Sequence, residues 1–235
     1  MPDRTTRLAA LYATLAAVVA VIVTPLLALS YFAIPDGASE LDTGTVSAWA
    51  DPARDLAGGL LTFGSPDRVY ATYTQVIAVL FPAVLVCALL VRAGRPRPAL
   101  RNERWGWSIA LTGYALMMVG LLVASVVLIG ASASGDAVNV VFLTFVVPGL
   151  LLSTIGSTVL GIGLLRSALR PRAAAWVLAL SLPLWLFASV VLGHNGMGLV
   201  PIFVAWALAA RSLERSEPAV VAPARYPDPV PDGPS

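Results

Sequence analysis

Long uncharged apolar stretches alternate with short charged ones along the whole chain. The uncharged runs are 8–34, 70–91, 105–135, 137–165 and 173–210. A helix rises about 1.5 Å per residue, so crossing a hydrocarbon core of about 30 Å takes around 20 apolar residues. The last run, at 38 residues, is too long for one crossing. It contains Gly193-His194-Asn195-Gly196-Met197-Gly198, a strong turn signal, and is read as two short helices joined by a tight hairpin. The pattern therefore predicts six spans, at about 8–34, 69–91, 108–130, 138–165, 173–192 and 195–210. No segment shows the apolar/polar alternation of a membrane barrel. In lipid, backbone polar groups must be satisfied within the segment, which leaves helices. The expected fold is an all-α, polytopic membrane helix bundle. Residues 1–215 form its transmembrane domain, and 216–235 a disordered Pro-rich cytoplasmic tail.

Composition supports this reading. Of 235 residues, 58% are hydrophobic and only 12% charged, against about 25% charged in a soluble domain. So few charges cannot cover a water-facing surface. The first run is 27 residues long, well beyond the roughly 7–15 of a signal-peptide core, so it reads as a retained anchor. All 15 basic residues are Arg, which goes with a GC-rich, bacterial origin and an inner-membrane location. A single cysteine, Cys87, sits inside an apolar run and reads as a small buried hydrophobe.

Charge sets the orientation. Thirteen of the 15 Arg fall in the N-terminal tail, the second and fourth connections and the C-terminal tail. Only Arg54 and Arg68 lie on the other side, beside Asp36, Glu40, Asp42, Asp51, Asp55 and Asp67. Positive residues stay cytoplasmic, so both termini are expected inside, which needs an even number of crossings. Trp105, Trp107, Trp176 and Trp206 fall near predicted inner helix ends and read as an interfacial belt. Trp185 lies mid-span and reads as a packing residue. In the long acidic first outer loop, Asp51-Pro52 resembles an N-cap followed by Pro at the first helical position, predicting a short surface helix over 53–63. Ser65-Pro66 repeats the signal at the start of the second span. The loop is either a structural cap or a lid.

Gly149, Ser153, Ser157 and Gly161 recur every four residues. Such small side chains let membrane helices approach closely, within the bundle or at a homodimer seam. Gly106, Gly113 and Gly120 recur every seven. Pro25, Pro82, Pro148, Pro183 and Pro201 occupy five of the six spans and predict kinks.

Reactive chemistry is sparse. No Asp, Glu, Arg or Lys lies within a predicted span, which argues against proton pumps, voltage sensors and most ion channels. No metal-ligand spacing, paired carboxylates or phosphate-cradling loop is present, so neither a metal nor a cofactor is expected. The polar candidates for ligand binding are His194 and Asn195 in the hairpin, with Asn139 and Gln75 near outer helix ends. His194-Asn195-Gly196 with Ser157 superficially resembles the intramembrane serine proteases of the rhomboid type. Gly156-Ser157-Thr158 departs from that family's Gly-x-Ser-Gly. Arg92, Arg95, Arg97, Arg101 and Arg104 could meet anionic lipid headgroups; nucleic acid is not implied.

The leading expectation is a multi-pass protein of the inner membrane, non-catalytic and accessory to a larger assembly. Its partners would be the lipid bilayer and either another membrane protein or a second copy. The runner-up is a carrier or sensor for a small neutral or lipid-like ligand, with an outer-leaflet site near His194, Asn139 and Gln75. An intramembrane enzyme using His194 stands third.

Overall fold

The uncharged runs become helices, and no strand forms among the described residues. This computed structural model describes residues 4–94, 101–130, 136–167 and 171–215. Arg95, Arg97 and the Pro-rich tail lie outside them.

The first long helix is α1 (Arg4–Tyr31). A short α2 (Pro35–Ala38), a 3-10 turn (Ser39–Asp42) and α3 (Gly44–Leu61) follow. The next segment is α4 (Pro66–Leu80) and α5 (Pro82–Ala93), then α6 (Arg101–Gly130). After it come α7 (Asp136–Val141), a π-turn (Phe142–Val146) and α8 (Val147–Arg166). The chain continues through α9 (Arg172–Ala179), α10 (Ser181–Val191), a 3-10 turn (Asn195–Leu199) and α11 (Val200–Arg215). Four segments are long and apolar enough to cross a membrane: Arg4–Tyr31, Pro66–Ala93, Arg101–Leu128 and Asp136–Arg166. The pair α9 and α10, bent by 47°, makes a fifth if counted as one. The region of the predicted sixth span holds a 3-10 turn and a 16-residue helix, about 24 Å long.

Burial on α1 is the reverse of a soluble amphipathic helix. Its inward face carries small residues, with Ala9, Ala13, Ala16 and Ala20 buried. Its outward face carries Leu8, Leu11, Leu15, Val18 and Ile22, all about half exposed or more. Small side chains inside permit close helix approach, and large apolar ones outside suit lipid. Val126, Leu143 and Val190 extend the apolar exterior to α6, the π-turn and α10.

The pairing of α6 with α8 is the tightest in the bundle. Residues seven apart on a helix return to within about 20° of one face, while residues four apart advance by about 40°. Gly106, Gly113 and Gly120 keep one face of α6 toward α8, where a Cβ on each would overlap Leu160, Ser153 or Leu152, and Phe145 or Val146. Gly149, Gly156 and Gly163 answer at the same spacing, against Met117, Ala110 and Glu103. The four-residue series does not stay on one seam. Gly149, Ser153 and Ser157 face α6, but Gly161 has drifted by about 120° and meets Ala175 and Ala179 of α9. This stripe is therefore consumed by two internal contacts.

Buried hydrogen bonds tie a third helix to that pair. Tyr114 Oη lies 2.5 Å from Ser157 Oγ and accepts from Trp206 Nε1 at 3.0 Å. Trp107 packs on Trp206 with centroids 5.8 Å apart. Trp107 and Trp206 are thus core anchors, only 2% and 1% exposed, whereas Trp105 and Trp176 are 58% and 57% exposed. The expected belt of four is two exposed residues and two buried ones. Trp185 packs on Gly198, near the end of the bundle.

Prolines mark the breaks. Phe81-Pro82 separates α4 from α5. Pro183 lacks the donor that would reach back to residue 179, and the chain bends there, at Leu180. The Leu182 N–H donates instead to Thr158 Oγ1 at 3.0 Å, which holds α10 to α8. The π-turn precedes Pro148. One expectation fails in the first loop: Asp51-Pro52 caps nothing, because α3 already begins at Gly44 and holds Pro52 inside it. Val46 and Ala50 are buried against Ala28, Leu29 and Phe32, and this burial extends the helix upstream. Ser65 does cap α4, accepting from Arg68 N.

Gly156→Val should drive a side chain into the Ala110 backbone, at a cost of about 1–3 kcal/mol, and lower the unfolding midpoint in detergent. Gly59→Ala, where a Cβ meets nothing within 4 Å, should hold or raise it by about 0.5–1 kcal/mol. Thermal unfolding followed by size-exclusion chromatography reads both; equal midpoints for Gly156→Val and wild type would show that the helices do not meet there.

Candidate functional site

The bundle has two chemically different ends. At one lie the start of α1, the end of α5, the start of α6 and the end of α11. Arg92 sits 6.0 Å from the Trp107 ring centroid, and Arg211 Nε donates to Thr14 Oγ1 at 3.0 Å. Arg92, Arg101 and Arg104 are exposed there. At the other end lie α2, α3 and the turn between α10 and α11.

Between the helices at this second end is a cavity of about 260 Å³. An apolar cavity of about 150 Å³ admits benzene, so this space takes a small organic group. Its body is apolar, lined by residues such as Leu27, Ile77, Met117, Leu121, Val146 and Leu150. These come from α1, α4, α6, α8 and the π-turn. Its polar lining is Tyr31, Asp36, Glu40, Tyr70, Asn139, His194 and Asn195, with Thr24 and Thr74 deeper. The Thr24 hydroxyl donates to the Ala20 carbonyl and that of Thr74 to Tyr70 O, so their hydrogen-bonding needs are met on their own helices.

The turn positions His194. Gly193 adopts φ +70°, a left-handed conformation that glycine tolerates without steric cost. The ring then packs 5.3 Å from Tyr31 and edge-on to Phe32 at 6.4 Å, centroid to centroid. Its Nδ1 accepts from Gly196 N at 3.2 Å. An accepting Nδ1 carries no proton, so the neutral ring holds its proton on Nε2. Desolvation by burial lowers the His194 pKa from 6.5 to about 4. Asn195 is exposed, and its Oδ1 accepts from Ser189 Oγ at 2.6 Å.

Of the residues singled out in the sequence, His194, Asn195 and Asn139 line this one cavity. Gln75 does not; its amide lies 3.5 Å from Ser125 O, on the α6 side of α4. Gly149, Ser153, Ser157 and Gly161 are buried in helix packing. Ser157 bonds to Tyr114 and the His194 ring to Gly196, so no bond joins the two as nucleophile and base. Tyr31, Asp36, Glu40 and Tyr70 were missed as site residues. In sequence the two tyrosines resemble interfacial aromatics and the two acids ordinary loop charge. The available signal was position, since all four fall near the acidic loop that joins the first two apolar runs. No group of three or more metal-ligating side chains occurs among the described residues.

No family model, curated protein or solved structure matches the chain.

The His194 pKa sets a pH dependence. A histidine depressed in the fold favours folding above its unfolded value and opposes it as pH falls. Wild-type stability should therefore drop as pH goes from about 6.5 to 4, by on the order of 1–3 kcal/mol. Asp36, Glu40, Tyr31 and Tyr70 are the other titratable groups on this cavity. His194→Asn should flatten the wild-type slope over that window in thermal unfolding series, and an unchanged slope would remove the role given to the ring.

Proposed function

We propose that this chain is a non-catalytic, multi-pass protein of a bacterial inner membrane that binds a small lipid-like molecule at the outer-leaflet end of its bundle. The observation that carries this reading is the cavity: an apolar body inside the helices with polar groups gathered at one end. An amphipathic ligand matches both halves, with its tail out of water and its head among tyrosines, amides and carboxylates. Whether it is carried or sensed, the same site serves. An accessory role in a larger assembly drew on the small-residue stripes. Those stripes face inward, so they offer a partner little, and the cavity reading is preferred.

Six crossings, with both termini cytoplasmic, go with this proposal. Arg211 bonds to Thr14, so the beginning and end of the described chain share one end of the bundle, as an even number of crossings requires. The five-residue 3-10 turn and the 16-residue α11 together reach about 34 Å if collinear, a length that supports a sixth crossing. Arginines cluster at that shared end and the acidic loop at the other, which sets the orientation. On this reading α3 lies along the outer membrane surface, and its exposed Leu56 and Leu60, with Phe63 just beyond its end, dip into the headgroup region.

Native mass spectrometry of the gently extracted protein should show a bound amphiphile at about one per chain, displaced in Ala124→Trp, where an indole fills the cavity. A bare wild type, or an adduct equally retained by the variant, would refute the site. For topology, a reporter fused after Ser235 should be active only in a cytoplasm-dependent form; periplasmic activity would reverse the orientation.

A further inference from the structure

We infer that the ligand's head group is a small cation, an ammonium group on a single apolar chain or body. The inference rests on the proposed cavity and deepens it. Among the described residues, every charged side chain on the cavity lining is acidic: Asp36 and Glu40 line it, and no Arg does. The chain has no lysine that could supply a counter-charge. Neither carboxylate has an ion-pair partner among the described residues. Glu40 is half-buried, and Asp36 is exposed at the rim. Beside them the Tyr31 and Tyr70 rings stand 6.0 Å apart and tilted by 47°. Aromatic faces beside carboxylates attract alkylammonium groups through the ring quadrupole and the net negative field.

The third edge of this lining adds no positive charge. The His194 ring accepts a backbone N–H at Nδ1, so at neutral pH it is an uncharged donor through Nε2. An anionic head group, such as a phosphate or sulfate, would meet two carboxylates and no cation. A neutral sugar head would gain hydrogen bonds but no electrostatic advantage. The charge preference is therefore set by α2 and the turn after it, while the apolar body sets only affinity for the tail. Sodium or another bare cation lacks the tail that the body of the cavity accommodates.

The test uses full-length protein in maltoside micelles with three soluble probes of one chain length: hexyltrimethylammonium, hexyl sulfate and hexyl glucoside. Ligand-induced shifts of the unfolding midpoint report relative affinity. The ammonium probe should bind at least about tenfold more tightly than the sulfate. The double variant Asp36→Asn/Glu40→Gln should lose that preference while still binding the glucoside. These two positions lie outside the helix packing, so the variant should fold; if it does not, the wild-type ranking alone decides. Equal affinity for all three probes, or preference for the sulfate, overturns the cationic head group and leaves the cavity reading standing. No shift with any probe overturns both.

Discussion

The close approach of α6 to α8 is the constraint on which the rest of the structure depends. In lipid, helices gain little from burying apolar side chains against one another, since the tails outside are equally apolar. Backbone proximity must supply the attraction, through dense van der Waals contact. Six glycines, in two series of seven-residue spacing, remove the Cβ at the points where the two helices come closest. With the two backbones held together, Ser157 comes within reach of Tyr114, and Tyr114 then receives the Trp206 indole. The cavity follows from the same arrangement. Near Gly120 and Gly149 the seam is tight, but past the π-turn the chain leaves that register. Phe142 lines the cavity there, and so does Val146, which also touches Gly120 of α6.

The polar groups buried in the bundle are few, and most are paired. The Tyr114–Ser157–Trp206 chain of hydrogen bonds stands at its centre. A hydroxyl unpaired in lipid costs several kcal/mol, and among the described residues Ser153 Oγ is a buried hydroxyl left without a partner. Threonines and serines on α4, α6 and α8 return their protons to carbonyls three or four residues back. Thr158 instead serves a neighbour, accepting the Leu182 N–H freed where the chain bends. Side chains thereby satisfy backbone that proline has interrupted, which is what allows a broken helix to persist away from water.

Much of this architecture was legible from the residues alone, because partition into lipid depends on composition over about 20 residues and little else. The uncharged runs became the long helices, and the Gly193 turn falls where the glycines and Asn195 predicted it. Features that depend on a neighbour were less legible. Trp107 and Trp206 look in sequence like Trp105 and Trp176, and only packing separates the buried pair from the exposed one. Gly161 continues a four-residue spacing but belongs to another interface, since that spacing drifts around the helix. The seven-residue series Gly149, Gly156 and Gly163 was the better predictor and was overlooked beside it. At the site, His194, Asn195 and Asn139 were visible as polar groups at the ends of apolar runs. Gln75 has the same appearance, and the rotation of α4 decides that it faces elsewhere. Asp36 and Glu40 could not be told from other acids of their loop, because a short 3-10 turn brings them back over the helix ends.

The bond from Trp206 to Tyr114 has a consequence for how the molecule is made. Synthesis delivers α6 and α8 well before α11. The early pair can close along its glycines with the Tyr114 and Ser157 hydroxyls already joined, leaving an acceptor lone pair facing a vacant slot. α11, which leaves the ribosome after both, carries the Trp206 indole that donates to it. Order of translation thus becomes order of assembly, and the late-arriving segment finds its berth by a polar contact that lipid cannot imitate.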